Sequence, residues 1–283
     1  MTKRAAILST FAAVAAMTIS AAAQEPVNEP AADQSLVVAA TTSVEDSGLF
    51  DHLLPRFTAA TGITVRVVSH ASAAALMTAE KGTIDAVIVN DADALDSFVA
   101  AGQGTRRHSF MSNRFVLVGP PSDPAGVGGM NDAPAALREI ARKRATFVSR
   151  GDNSGTHTAE LKLWQAAGVN PKMRSGNWYL ETGLGMGLTV QMAGRLGAYT
   201  LTDRATFVKA ADRATSNVLV DGDPRLFNPY EAILVNPAKH AHVNVAAATR
   251  FLDWLVSPEG REAIGDYRVN GEKVFEPSPG DIN

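Results

Sequence analysis

The chain has 283 residues, 26 Lys and Arg against 29 Asp and Glu, and no Cys. Disulfides and a lipidated cysteine are excluded, so the core must rest on burial alone. The slight acidity argues against a nucleic-acid or anionic-membrane surface, but not against one pocket for a small anion. A chain of this size builds one large domain or two of roughly 100–150 residues each.

The first 23 residues have the pattern of a signal peptide. Lys3 and Arg4 precede an apolar run from Ala5 to Ile19, and Ala21-Ala22-Ala23 before Gln24 offers a small-residue cleavage site. The run is short for a membrane span. The expectation is export to the periplasm without a lipid anchor, with 24–34 as a flexible leader.

Leu36–Ala40 is a short apolar strand, followed by Thr41-Thr42-Ser43 and a helix whose Leu49, Phe50, Leu53, Leu54 and Phe57 share one face. Ile63, Val65 and Val67 alternate as a second strand, His70-Ala71-Ser72 follows, and an Ala-rich helix runs to Lys81, where Gly82 stops it. Asp85–Asn90 is a third strand and Ala94–Ala101 a third helix. This strand–turn–helix alternation predicts a parallel sheet covered by helices. Phe115–Gly119 is the next strand, and the loop PPSDPAGVGG after it is the expected crossing between lobes. A second series follows: helix Ala135–Lys143, strand Ala145–Ser149, a helix ending at Ala167, another opened by Gly183–Gly187, and strand Ala198–Asp203. A strand at Leu226–Asn236 returns, and the helices Val245–Val256 and Glu259–Ile264 close the chain. The predicted fold class is α/β, with two α/β lobes joined by two crossing strands and a ligand cleft between them. Lobe 1 takes 35–114, lobe 2 takes 115–234, and 235–283 returns to lobe 1.

In open α/β sheets ligands sit beyond the carboxyl ends of the strands. Those ends carry Thr41-Thr42-Ser43 and Ala71-Ser72 from one lobe, and Arg150–Thr156 and Gly183–Gly187 from the other. Small, hydroxylated and glycine-rich segments at helix starts, with one Arg, form an anion site, because the first N–H groups of a helix have no internal partner. Thr42 and Ser43 also have the ordinary reading of helix caps, with Ser47 as an alternative cap that frees them for a ligand. Arg150 offers planar donors and a charge that does not titrate away. Asp152 either braces it or makes the turn. Ser154 and His157 invite a hydrolase reading, but their spacing alone makes no nucleophile–base pair and no orienting third group is evident. His240 and His242 lack further ligands at metal-binding spacing. No phosphate-binding Lys loop exists.

The ordered segments ATTSVEDSGLFDHLLPRFTAATG (40–62), GQGTRRHSFMSNRFVLVGPPSDPAG (102–126), FVSRGDNSGTHTAELKLW (147–164), WYLETGLGMGLT (178–189), AYTLTDRATF (198–207) and NPYEAILVNP (228–237) resemble the periplasmic tungstate-binding proteins of ABC transporters, within the type II periplasmic-binding-protein group. The resemblance implies a monomeric binding protein without a cofactor. It would capture a tetrahedral oxyanion, tungstate before others, and deliver it to a membrane permease. Carried over by position, it implies Thr42, Ser43 and Ser72 as ligands from one lobe and Arg150, Ser154 and Thr156 from the other. One turn departs. His70-Ala71-Ser72-Ala73 stands where the family has Val-Gly-Thr-Gly, and Gly82-Thr83-Ile84-Asp85 replaces Gly-Asp-Ala-Asp. The altered turn leaves molybdate, another oxyanion or a small carboxylate as alternative ligands.

Overall fold

The computed structural model describes residues 34–279, so the signal peptide and all of the leader but Gln34 lie outside the described residues. Among the described residues no helix is long and apolar enough to cross a membrane.

The first elements are β1 (Ser35–Thr41), α1 (Thr42–Ser47), α2 (Leu49–Thr61), β2 (Thr64–His70), α3 (Ser72–Glu80), β3 (Ala86–Val89) and α4 (Ala92–Ala100). β1 lies in parallel between β2 and β3, with Thr41 opposite His70. The helices that return the chain after each strand force this direction, since parallel neighbours need a crossover. Gly48, at φ +80°, separates α1 from α2. Ser47 works at this break, where its hydroxyl receives the Leu49 N–H and donates to the Val44 carbonyl.

β4 (Gly104–Gly119) is a single strand of 16 residues. Its first part pairs antiparallel with β9 (Phe227–Val235) as far as Arg114 opposite Phe227. From Phe115 onward it pairs with β7 (Thr200–Asp203) and β8 (Asn217–Val220). The strand itself therefore makes the crossing that the Gly- and Pro-rich loop was expected to make. That loop stays beside the second sheet: Ala125 N–H bonds to the Tyr199 hydroxyl and Gly129 N–H to the Leu219 carbonyl. The first half of β4 escapes a hydrophobic reading because its charges are paired sideways, Arg106 with Asp253 and Arg107 with Asp96 and Glu231.

The second lobe adds α5 (Ala133–Lys143), β5 (Phe147–Ser149), α6 (Gly155–Ala166), β6 (Tyr179–Glu181), α7 (Met186–Leu196) and α8 (Arg204–Ala210). β5 and β6 pair in parallel. The chain closes with α9 (Val245–Val256), α10 (Pro258–Asp266) and the short strands β10 (Arg268–Val269), β11 (Glu272–Lys273) and β12 (Glu276–Pro277). The main sheet runs β12-β4-β9-β3-β1-β2.

The two largest of four hydrophobic clusters among the described residues hold the lobes. One gathers Leu36, Val38, Leu53 and Phe57 with Phe251, Leu252 and Phe275 from the return segment. The other gathers Phe115, Leu137, Ile140, Phe147, Trp164 and Tyr179. Burial of each large side chain in these clusters contributes roughly 1.5–3 kcal/mol.

Candidate functional site

The turn after β5 is built by two residues with positive φ, Gly151 at +64° and Asn153 at +56°. A Cβ at Gly151 would press on Glu181, so glycine is needed there for both reasons. The turn is locked by Asp152: its Oδ1 receives Ser154 N–H at 3.2 Å, and its Oδ2 receives Arg150 Nε at 3.1 Å and Nη2 at 2.6 Å. Asp152 thus makes the turn and braces the cation.

Arg150 is 2% exposed. With Asp152 on the Nε side of the fork, the other edge faces the first lobe. Nη2 donates to Thr42 Oγ1 at 2.9 Å and Nη1 to Ser43 Oγ at 3.5 Å. Thr42 and Ser43 form the first turn of α1 instead of preceding the helix. Thr41 is its N-cap and its side chain does not cap. That leaves Thr42 and Ser43 facing Arg150 rather than closing their own helix.

Ser72 opens α3 at the same junction and is fully buried. Its Oγ receives Gly155 N–H from the second lobe at 3.1 Å. Gly155 starts α6, and a Cβ there would overlap the Asn90 side chain and backbone. Ser154 caps α6 by accepting His157 N–H at 3.3 Å. Thr156, 1% exposed, has no hydrogen-bond partner for its Oγ1 among the described residues. Two contacts across the lobes thus bring the predicted residues together: Arg150 meets Thr42 and Ser43 at the start of α1, and the start of α6, with Ser154 and Thr156 on either side of Gly155, meets Ser72 at the start of α3. Three helix N-termini supply N–H donors here beside a buried guanidinium whose charge is paired with Asp152.

Two further contacts hold the lobes together near this point. Thr158 Oγ1 donates to Asp91 at 2.8 Å and Lys162 pairs with Asp93 at 2.7 Å. Beside them lies a cleft of about 300 Å³ lined by Asn90, Phe115, Thr158, Lys162 and Phe227.

The Ser154–His157 pair does not form a proton relay. His157 is buried, its Nδ1 receives Asn153 N–H at 3.0 Å, and burial lowers its pKa below the ordinary value, with Lys172 adding to the shift. Ser154 Oγ is taken by a backbone N–H rather than by the ring.

The altered turn leaves the backbone path unstrained. Ala71 sits at φ −62° and ψ 150°, where any L-residue is comfortable. His70 ends β2 half-buried, inside the strand rather than in a turn. Asp85 acts as a scaffold, receiving Val37 N–H and Asn244 N–H, both at 2.8 Å.

Sequence reasoning passed over four polar residues between the lobes. Asn113 (3% exposed), Asn228 (1%) and Asp203 (0%) are buried and Asn90 is half-buried. Burial raises the Asp203 carboxyl, while bonds from Thr206 and the charge of Arg150 pull it down. The only sequence signal was an amide at the end of one strand and inside two others, where apolar residues are the rule.

A family model for the PBP superfamily domain matches residues 21–259. The tungstate-binding protein TupA of Peptoclostridium acidaminophilum is 39% identical over 270 residues, covering 93% of this chain and 93% of its own. A structure described as the tungstate ABC transporter from Geobacter sulfurreducens is 45% identical, with a TM-score of 0.76 over 83% of this chain and 99% of that one. The tungstate-binding protein TupA from Desulfovibrio alaskensis G20 is 42% identical, with a TM-score of 0.74 over 86% and 98%.

Proposed function

This chain belongs to the periplasmic-binding-protein superfamily, among the tungstate-binding proteins of ABC transporters, and on that premise we propose that it captures a tetrahedral oxyanion, tungstate in first place, and hands it to a membrane permease. The observation that carries this is the Arg150 guanidinium, buried between the lobes with one edge held by Asp152 and the other turned to hydroxyls of the opposite lobe. A fork of this kind suits the paired oxygens of an oxyanion.

Thr42, Ser43 and Ser72 bind from the first lobe, and Arg150, Ser154 and Thr156 from the second. The anion takes the Arg150 edge that faces Thr42 and Ser43, the amides at the starts of α1, α3 and α6, and the Thr156 hydroxyl. One cation and neutral donors grip a dianion without excess buried charge. The protein binds without chemistry, as a monomer in the periplasm, and closure of the lobes removes water from the anion.

Titration calorimetry of the exported form, dialysed free of anions, tests this against tungstate, molybdate, sulfate and phosphate in one buffer. Tight binding of tungstate with much weaker sulfate and phosphate is the expected result. Tight molybdate and weak tungstate would move the ligand, and no heat with any of the four would overturn the assignment.

A further inference from the structure

Five hydrogen bonds run in one direction from the start of α6 to Asp203. Gly155 N–H donates to Ser72 Oγ at 3.1 Å, and Ser72 Oγ donates to Asn90 Oδ1 at 3.3 Å. Asn90 Nδ2 donates to Asn228 Oδ1 at 3.0 Å, Asn228 Nδ2 to Asn113 Oδ1 at 2.6 Å, and Asn113 Nδ2 to Asp203 Oδ1 at 3.3 Å. Asp203 Oδ1 also receives the Thr206 N–H at 2.9 Å, so this oxygen is an acceptor and faces Asn113 Nδ2, and each amide then fixes the next. Asn228 Nδ2 also meets the Tyr230 hydroxyl at 3.1 Å, a further donor–acceptor contact on the same side of that amide.

The chain passes through a mechanically special place. Asn113 and Asn228 are paired in register on β4 and β9, one rung before β4 leaves β9 for β7. They stand where β4 leaves β9 for the second set of strands and where β9 itself begins. The far end is the first amide of α6, next to the Arg150 turn.

We infer that Asn90 and Asn228 are positioning residues for anion capture, tying Ser72 and the start of α6 to β4, the strand that crosses, and to the start of β9. Neither side chain reaches Arg150, Thr42 or Ser43 by any hydrogen bond among the described residues, so their influence travels through Ser72. The inference rests on the place of Ser72 in the proposed site.

The test is a double-mutant cycle on tungstate affinity with Asn228→Leu and Ser72→Ala. Coupled residues that do not touch show non-additive effects only when something between them transmits the change. The expected result is about a tenfold loss for Asn228→Leu alone and less than about twofold in the Ser72→Ala background. Melting temperatures separate this from simple loosening, because Asn228→Leu should lower them equally in both backgrounds. Equal affinity losses in both backgrounds, or no loss in either, would overturn the inference while leaving the site assignment standing. Unchanged affinity for Ser72→Ala alone would remove Ser72 from the site and the inference with it. If Asn228→Leu does not fold, Asn90→Ala cuts the same chain at its half-buried link and must show the same loss of effect.

Discussion

Arg150 and Glu160 lie in the same lobe, on either side of the α6 start, and each is only 2% exposed. Their surroundings differ in kind. Glu160 is enclosed by its own lobe: its Oε1 receives Trp164 Nε1 at 3.0 Å and the Tyr179 hydroxyl at 2.7 Å. Those rings belong to an aromatic cluster in which Phe147, Trp164 and Tyr179 meet at centroid distances of 5.2 to 6.3 Å. Arg150 has one partner in its own turn and the others across the cleft. A buried charge whose partners all come from one side is part of a core. One that reaches across a cleft is placed for something that joins the two sides.

Arg150→Ala should strike hardest. It removes the buried cation and leaves the half-buried Asp152 without its partner, and a loss of about 100-fold or more in tungstate affinity is expected, on the scale of a broken buried pair. Calorimetry reads it directly. Arg150→Lys sharpens the point, because a point charge without the fork should recover only part of that loss. If Arg150→Ala binds as tightly as the parent, the cleft-spanning arginine is structural like Glu160 and the contrast between the two disappears.

Glu160→Gln should act on stability and leave binding alone. Burial raises the Glu160 carboxyl from 4.5 to about 7, against the hydrogen bonds from Ser149, Tyr179 and Trp164 that lower it. The folded chain therefore keeps a proton that the unfolded chain has already lost. Stability falls as pH rises from the unfolded value to the folded one, by about 3 kcal/mol in total. Above about 7 both forms are ionised and the whole penalty is present. Gln keeps an oxygen for Trp164 and Tyr179 and cannot ionise, so denaturation at pH 5 and pH 8 should differ less in the variant than in the parent. A variant with the parent's pH slope would place the titration elsewhere.

Thr156→Val should give the smallest effect and the most discriminating one. The swap keeps the shape and removes a buried hydroxyl that has no partner among the described residues. Tungstate affinity should fall by about tenfold, while stability without anion should hold or rise by about 1 kcal/mol. A matched fall in both would make Thr156 a packing residue.

The alternating elements of both lobes were legible because their signals are local. Apolar periodicity marks the strands and helices, and Gly82 marks a stop that falls at positive φ, whereas the sequence pattern reads α1 and α2 as one helix across the break at Gly48. The candidate residues of the proposed site came from equally local signals, since hydroxyls and one Arg stand at strand ends. What stayed hidden depends on contacts distant in sequence. The first half of β4 looks like a polar loop until Glu231, Asp96 and Asp253 are brought beside its arginines. Asn113 and Asn228 are 115 residues apart, and nothing near either reveals that they are paired. β6, with three residues, and β8, with four, are too short to carry a period of their own.

The strand order has a consequence for how the chain acquires its shape. β3 and β4 are neighbours in sequence, yet β9 lies between them in the sheet. During synthesis the growing chain holds β1, β2 and β3 long before residues 227–235 exist to cover the β3 edge. The first lobe cannot finish until the second has been made, so its folding is delayed by more than a hundred residues of intervening chain, and the long sequence separation makes that step slow. A nascent chain released early would show an open strand edge, and the order of assembly is set by the order of strands rather than by the order of lobes.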